Sequence, residues 1–231
     1  MDDCIIVRYG EIALKSDQTR KWWNKTLLEN MKDCLEKNNI TYSSIDVKLG
    51  RLIVYTKEKK EASIALRNVF GITSLSPAVR VEADFEKIKD KCLELSNNKG
   101  KKFRVSTRRI TKEFPMTSDK VNGALGAFLK EKLDLEVNLT NFDFEMGIEF
   151  LDGYAYLFTE RIKTFGGLPI GVQGKVICLV SSGIDSPVAA WLLMKRGCQV
   201  NLMHFKVTEE GYKKYTKIKE ILQKFSYGHE I

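Results

Sequence analysis

Residues 176–187 read Val-Ile-Cys-Leu-Val-Ser-Ser-Gly-Ile-Asp-Ser-Pro, the stretch of this chain whose residue types best suit the binding of a phosphate. Val176–Val180 has the length and β-branched content of a strand buried on both faces. The sequence then breaks into small and turn-forming residues and restarts as a helix over Pro187–Arg196. Pro187 suits the first helical position, and Asp185 or Ser186 can cap the orphan N–H groups. Val188, Trp191, Leu192 and Met194 supply the apolar residues, and Lys195-Arg196-Gly197 closes the helix with cations and a glycine. Val200–Phe205 reads as a second strand. A strand–loop–helix–strand unit within one sheet is parallel and right-handed. Its loop presents free backbone N–H groups and the positive end of a helix dipole, a ready anion site. The side chains of Ser181, Ser182 and Gly183 are too small to obstruct an approaching phosphate. The spacing excludes a Walker loop, a Gly-x-Gly-x-x-Gly turn and a Gly-x-Ser-x-Gly nucleophile elbow, since Asp185 stands two residues after Gly183. On local physics alone, an ordinary capped turn between strand and helix stays open as the alternative.

A second chemistry-bearing stretch lies at 99–112. It holds seven basic residues (Lys99, Lys101, Lys102, Arg104, Arg108, Arg109, Lys112) and no acidic one. Strand alternation puts Arg104 and Arg108 on one face and Phe103 and Val105 on the other. Such a cluster on a sheet edge tracks phosphates, each contact adding salt dependence rather than sequence preference. A solvated basic face is the competing reading.

The elements that carry these stretches follow from periodicity. Cys4–Val7 is a short strand, Thr19–Lys37 a helix with Trp23, Leu27, Met31 and Leu35 on one face, Ile45–Leu49 and Leu52–Thr56 a hairpin, and Glu61–Phe70 a helix ending at Gly71. Trp23 reads as buried and Trp22 as partly exposed, although such a pair also suits stacking on bases. Glu11 reads as an ion-pair partner of Arg8 and Lys15. The pattern restarts with a strand at Ala78–Val81, a helix at Phe85–Leu95, a strand at Phe103–Ile110 and a helix at Asp119–Leu133. Strands at Val137–Leu139, Asp143–Phe150 and Tyr154–Arg161 finish it, the last two joined by the hairpin signal Asp152-Gly153. Lys163–Gly174, with four glycines and Pro169, reads as a linker. Glu209–Phe225 is a final helix.

Bulk composition narrows the class. At 231 residues, the chain is long for one core and suits two or three domains. Its 43% hydrophobic and 29% charged content is that of a globular protein, and a net charge of +8 favours a polyanionic partner. No apolar run approaches the ~20 residues that span a bilayer, so no membrane partner is expected. Met1-Asp2-Asp3-Cys4 lacks the features of a signal peptide. The five cysteines are scattered, with no Cys-x-x-Cys, which argues against a zinc site or disulfide framework and for a reducing cytoplasm. Cys198, between a helix-ending glycine and a strand, reads as a buried structural thiol.

Ser181-Ser182-Gly183-Ile184-Asp185-Ser186 resembles the Ser-Gly-Gly-x-Asp-Ser signature of the PP-loop ATP pyrophosphatases, with Ser182 where that signature has glycine. Gly166-Gly167-Leu168-Pro169-Ile170-Gly171 before it and Leu193-Met194-Lys195-Arg196-Gly197-Cys198 after it narrow the likeness to the tRNA 4-thiouridine synthetase (tRNA sulfurtransferase) family. So does Tyr9-Gly10-Glu11-Ile12-Ala13-Leu14-Lys15 near the start. Lys102–Arg109 and the helix after Ser118 resemble a THUMP domain, an RNA-binding module. The resemblance implies an α/β chain: a ferredoxin-like domain over 1–74 and a THUMP domain over 75–165, both α+β. A linker over 166–174 and the first part of a doubly wound parallel PP-loop domain over 175–231 would follow. It also implies ATP and Mg²⁺ as cofactors, tRNA and a persulfide donor of the cysteine desulfurase type as partners, and a possible homodimer. The reaction would be adenylation of uridine eight and then sulfur transfer, with a role in sulfur supply to the thiamine thiazole. Asp185 becomes the candidate catalytic acid. Leu179, Val180, Ser181, Ser182, Gly183, Ser186, His204 and Phe205 become candidates for nucleotide binding, His204 through its backbone. Lys101, Lys102, Arg104, Arg108, Arg109 and Lys112 become candidates for RNA binding; no metal ligand set is expected. The family's catalytic cysteine lies beyond the matching region, and residues 175–231 are too few for a whole doubly wound domain. A C-terminally shortened chain is therefore expected, and a tRNA-binding module with an incomplete nucleotide domain is the alternative reading. A methyltransferase is disfavoured by the lack of a Gly-x-Gly-x-Gly-type loop.

Overall fold

The computed structural model describes residues 2–231. They form two compact units: one of residues up to Ile6, Tyr42–Lys59 and Ser76–Ile162, the other of Val7–Thr41, Lys60–Leu75 and Lys163–Ile231. In chain order the elements are β1 (Asp2–Tyr9), a 3₁₀ turn (Glu11–Leu14), α1 (Asp17–Lys37), β2 (Ser44–Lys48), β3 (Arg51–Tyr55), α2 (Lys59–Leu66), β4 (Ile72–Glu82), α3 (Phe85–Ser96), β5 (Lys102–Arg109) and α4 (Ser118–Leu133). Then come β6 (Glu136–Val137), β7 (Phe144–Leu151), β8 (Tyr154–Phe158), β9 (Ile162–Lys163), β10 (Lys175–Leu179), α5 (Asp185–Lys195), β11 (Gln199–Met203) and α6 (Glu209–Gln223). The chain is α/β, with α+β layers first and a parallel strand–helix–strand unit last.

The first unit is built on a sheet of order β2-β3-β1-β4-β8-β7-β5-β6, with β9 beside β4. The turn chemistry explains its hairpins. Leu151 pairs with Tyr154 across Asp152 (φ 50°) and Gly153 (φ 75°), the left-handed pair that an Asp-Gly dipeptide adopts most readily. β5 and β7 pair in parallel with α4 between them in sequence. One face of the sheet packs Phe103, Met146, Ile148 and Phe150 against Ile88 and Cys92 of α3 and Val121, Leu125 and Leu129 of α4. Another cluster gathers Cys4, Ile6, Ile53, Tyr55, Tyr156 and Phe158. Beside it Arg51 Nε donates to Glu149 at 2.7 Å, with side-chain exposures of only 9% and 3%. β4 is longer than the expected Ala78–Val81 and runs unbroken from just after Gly71, through residues 74 and 75. Of the expected strand Val137–Leu139, the ladder keeps Val137 alone, within β6.

The second unit contains α1, α2 and the β10–α5–β11–α6 segment. Its core joins Phe70, Ile170, Ala190, Met194, Val200 and Leu222. Rings of Phe70, Phe165, Trp191 and Phe225 lie 5.2 to 5.9 Å apart, mostly edge to face. Residues 163–174, expected as a linker, are instead a tightly held strap. Leu168, Ile170 and Val172 are buried. The Leu168 N–H donates to the Lys195 carbonyl, and the Gly171 and Gln173 N–H groups to that of Gly197. Composition alone missed this because glycine serves close approach as well as flexibility. Gly167 (φ 81°) has the Lys195 carbonyl where a Cβ would stand.

Candidate nucleotide and nucleic-acid sites

β10 and β11 pair in parallel over the full register from Lys175↔Gln199 to Leu179↔Met203, as a strand–helix–strand unit requires. Val180 N–H then donates to the Met203 carbonyl at 2.8 Å and so seats the loop start at the carboxyl end of both strands. From Ser181 to Asp185 every residue is exposed. The helix begins at Asp185 rather than Pro187, with Ile184 as the capping position and no side-chain cap. The expected cap fails because the Ser186 hydroxyl turns back to accept from the Ser181 N–H at 3.0 Å and lies 3.2 Å from the Ser181 hydroxyl. Gly183 N–H likewise donates to Ser181 Oγ at 3.3 Å. Among the described residues, the backbone N–H groups of Ser182, Ile184, Asp185 and Ser186 have no acceptor. Four orphan donors at the positive end of a helix dipole, open to solvent, can hold an anion. The Asp185 carboxylate stands exposed beside them.

A cavity of about 290 Å³ adjoins this loop. It brings together Leu179, Val180, Ser181, Ser182, His204 and Phe205 from the sequence-derived candidates, while Gly183 and Ser186 belong to the loop alone. Met203, Val207, Thr208 and Gly211 line it as well and were missed. The missed signal was a second helix start: Thr208 Oγ1 accepts from Gly211 N–H at 3.1 Å and caps α6 at the cavity wall. His204 and Phe205 lie just past β11 instead of within it. There the His204 Nδ1, 2.7 Å from the Val180 carbonyl, must donate. In the neutral ring Nε2 is then an acceptor, and it is buried without a partner. The ring stacks on Tyr215 at 4.5 Å.

No group of three or more metal-ligating side chains occurs among the described residues. Burial pushes the Cys4, Cys34 and Cys92 thiols up to about 12 and raises that of Cys178, so none of these four is a ready thiolate. Cys198, expected to be buried, is only half-buried, packed against the core of the second unit.

The basic stretch divides sharply. Phe103 and Val105 are buried while Arg108 is exposed, as alternation requires. Arg104, however, is bound up in the fold: Nε donates to Glu145 at 2.8 Å, and its guanidinium lies 4.2 Å from the Phe142 ring centre. Arg109 donates to the Lys112 carbonyl at 2.7 Å and shapes its own loop. The Lys101 and Lys102 amides both donate to Asp143, and these bonds, that from Lys102 first, hold its carboxyl below the usual range. Lys101, Arg108 and Lys112 remain as exposed cations: Arg108 on β5, which lies between β7 and the two-residue β6, and Lys101 and Lys112 on either side of that strand in sequence. Outside this stretch, Trp23 is buried and Trp22 half-exposed, as read. Glu11 does not pair with Arg8 or Lys15. Its partner is Arg196, 3.0 Å away at the end of α5, while Lys15 lies over the Trp23 ring. A partner this distant in sequence is invisible to local charge spacing.

Three family models match the chain in succession: the ThiI ferredoxin-like domain over residues 4–76, the THUMP domain over 82–160, and the thiamine biosynthesis protein (ThiI) over 171–231. The probable tRNA sulfurtransferase of Thermococcus kodakarensis is 45% identical over 235 residues, which take in 99% of this chain and 62% of that protein. That of Methanocaldococcus jannaschii is 42% identical, over 96% of this chain and 60% of its own length. The chain thus spans about 60% of the length of these curated relatives. Among solved structures, PH1313 from Pyrococcus horikoshii Ot3 superposes with a TM-score of 0.91 at 40% identity, covering 99% of this chain and 76% of that one. A 4-thiouridine synthetase, solved as an RNA complex with bound ATP, gives 0.85 at 31% identity, covering 99% and 60%. With three domain models in this order and relatives of this identity, the chain belongs to the tRNA sulfurtransferase (4-thiouridine synthetase) family.

Proposed function

We propose that this chain carries the tRNA-binding part and the phosphate-gripping part of an ATP-dependent tRNA sulfurtransferase. ATP would adenylate the carbonyl oxygen of uridine eight and release pyrophosphate; a persulfide sulfur would then displace AMP to leave 4-thiouridine. Activation is needed because the uridine oxygen is a poor leaving group and AMP a good one. The observation that carries this reading is the set of orphan N–H groups of Ser182, Ile184, Asp185 and Ser186 at the mouth of a 290 Å³ cavity. They would meet the developing charge of pyrophosphate with donors already in place. Leu179, Met203 and Phe205 would flank the base, and the His204 backbone would contact it. Asp185 would orient the attack or ligate Mg²⁺; with no metal cluster in the described chain, the ion would arrive with the triphosphate. The relative solved with RNA and ATP supports both ligands. Lys101, Arg108 and Lys112 would hold tRNA phosphates, with Lys102, Arg104 and Arg109 shaping that face. A persulfide donor, a cytoplasmic setting, a homodimer and sulfur supply to thiamine belong to the same reading.

One observation favours the second reading, a tRNA-binding module without catalysis: Ser181 and Gly183 N–H groups are already held by loop hydroxyls. Pyrophosphate release from ATP with tRNA and Mg²⁺, measured beside tRNA affinity, separates the two. Asp185→Ala should cut release at least a hundredfold and leave affinity within about twofold. Arg108→Ala should weaken tRNA binding and reduce its salt slope by about one, whereas Arg104→Ala should act chiefly on stability. No release from the unsubstituted chain, with tRNA binding intact, would establish the non-catalytic reading. An unchanged salt slope in Arg108→Ala would refute the RNA face.

A further inference from the structure

α6 turns one face inward. Gly211, Tyr215, Ile218 and Leu222 recur at three- and four-residue steps along it. Ile218 and Leu222 enter the core of the second unit, Tyr215 stacks on His204, and Gly211 lines the nucleotide cavity. At 3.6 residues per turn, the row Lys213, Lys217, Glu220 and Lys224 falls on the opposite side, and all four are exposed. Two further lysines beside the row are already neutralised: Lys206 lies 2.5 Å from Glu209 and Lys214 2.8 Å from Glu210. Among the described residues, Lys213, Lys217 and Lys224 form no ion pair, even with Glu220 on their own row. The row also starts next to the cavity. Thr208 and Gly211 line that space, and Lys213 follows Gly211 by two residues, about 3 Å of helix rise.

The chemistry makes a demand that this placement meets. A uridine carbonyl has to come to the phosphate of the nucleotide, and a base held in a folded RNA reaches a protein site only by leaving its stack. Its flanking phosphates then cross the cavity mouth, and each lysine that neutralises one releases counterions. Such contacts position the strand without reading its sequence. Resting on the reading of this chain as a tRNA sulfurtransferase, we propose that Lys213 and Lys217 of α6 form a second RNA contact, which grips the phosphates beside the reacting uridine and presents that nucleotide to the cavity. Lys224 extends the same row away from the cavity.

The test titrates the whole 231-residue chain into fluorescently labelled, unmodified tRNA by anisotropy at several salt concentrations. Lys213→Ala with Lys217→Ala should lower the salt slope by about 1.8 and weaken binding roughly thirtyfold at 0.1 M salt. Both side chains are exposed, so the far-ultraviolet circular dichroism and melting midpoint should stay those of the parent. Lys206→Ala with Lys214→Ala removes the same charge from lysines that acids already hold, and should change the slope by less than about one. In a hydroxyl-radical footprint, the protection that the Lys213 and Lys217 variant loses should fall on the nucleotides around uridine eight. An unchanged slope, or protection lost elsewhere on the tRNA, overturns the proposal. So does binding of anionic phospholipid vesicles that this variant abolishes while its tRNA binding stays unchanged, since the face then belongs to a lipid surface. Arg108→Ala, measured alongside, separates the two readings. An effect there with none at Lys213 and Lys217 refutes this contact alone, whereas no tRNA binding by the unsubstituted chain refutes the tRNA reading together with it.

Discussion

Glu149→Ala should lower the unfolding free energy by about 3–5 kcal/mol, the cost of leaving a buried guanidinium without its counter-ion. The geometry is bidentate: Arg51 Nε and Nη2 reach the two carboxylate oxygens at 2.7 and 3.2 Å, with Arg161 4.0 Å away. Arg51 and Glu149 are 98 residues apart in sequence, so the pair ties the hairpin β2–β3 to β7 within the first unit. Removing the carboxylate leaves Arg51 with the Gly50 carbonyl, a neutral acceptor that does not balance its charge. Replacing both partners, Arg51→Met with Glu149→Leu, should recover most of the loss, because desolvation of the charges disappears with them. Urea unfolding of the single and paired variants makes the comparison. A loss below about 1 kcal/mol for Glu149→Ala would mean that water reaches the pair and that it is a surface bridge in energy.

Gly167→Ala should destabilise the second unit by roughly 2–4 kcal/mol. Left-handed backbone contributes about 1–2 kcal/mol of that for any residue with a Cβ. The rest arises because the new methyl must displace the Lys195 carbonyl, which accepts the Leu168 N–H at 2.9 Å. Gly174→Ala is the internal control: its φ of 86° is nearly the same, but nothing lies within 4 Å of the added atom. It should cost only the backbone share. Equal losses at the two positions, read from thermal or urea unfolding, would show that the strap 163–174 is not pressed against α5.

These two positions mark where sequence reading stops. Elements written in local code were legible: the Asp152-Gly153 turn, the face of α1 carrying Trp23 and Leu27, and the parallel unit around Ser181–Ser186. The loop's place between an apolar strand and a helix was legible from its small residues, whereas its reading as a phosphate site came from the family resemblance, since an ordinary capped turn uses the same residue types. What escaped depends on partners distant in the chain. Arg104 reads as a free cation until Glu145 and Phe142, 41 and 38 residues on, are brought to it. The glycines of 166–174 read as slack until Lys195 and Gly197 close on them. The Ser186 cap failed more subtly, since its hydroxyl had a competing use in the loop, and the helix starts at Asp185 ahead of Pro187. Thr208 and Gly211 reach the cavity only through the turn after β11.

The most direct test of the phosphate grip follows the backbone amides of residues 181–186 by nitrogen-15 correlation spectra while ATP is titrated into the chain. Saturable, concerted downfield shifts of Ser182, Ile184, Asp185 and Ser186 are expected, with Ser181 and Gly183 moving as their hydroxyl partners give way. Binding that leaves those four amides unmoved, or no binding at millimolar ATP, would contradict it.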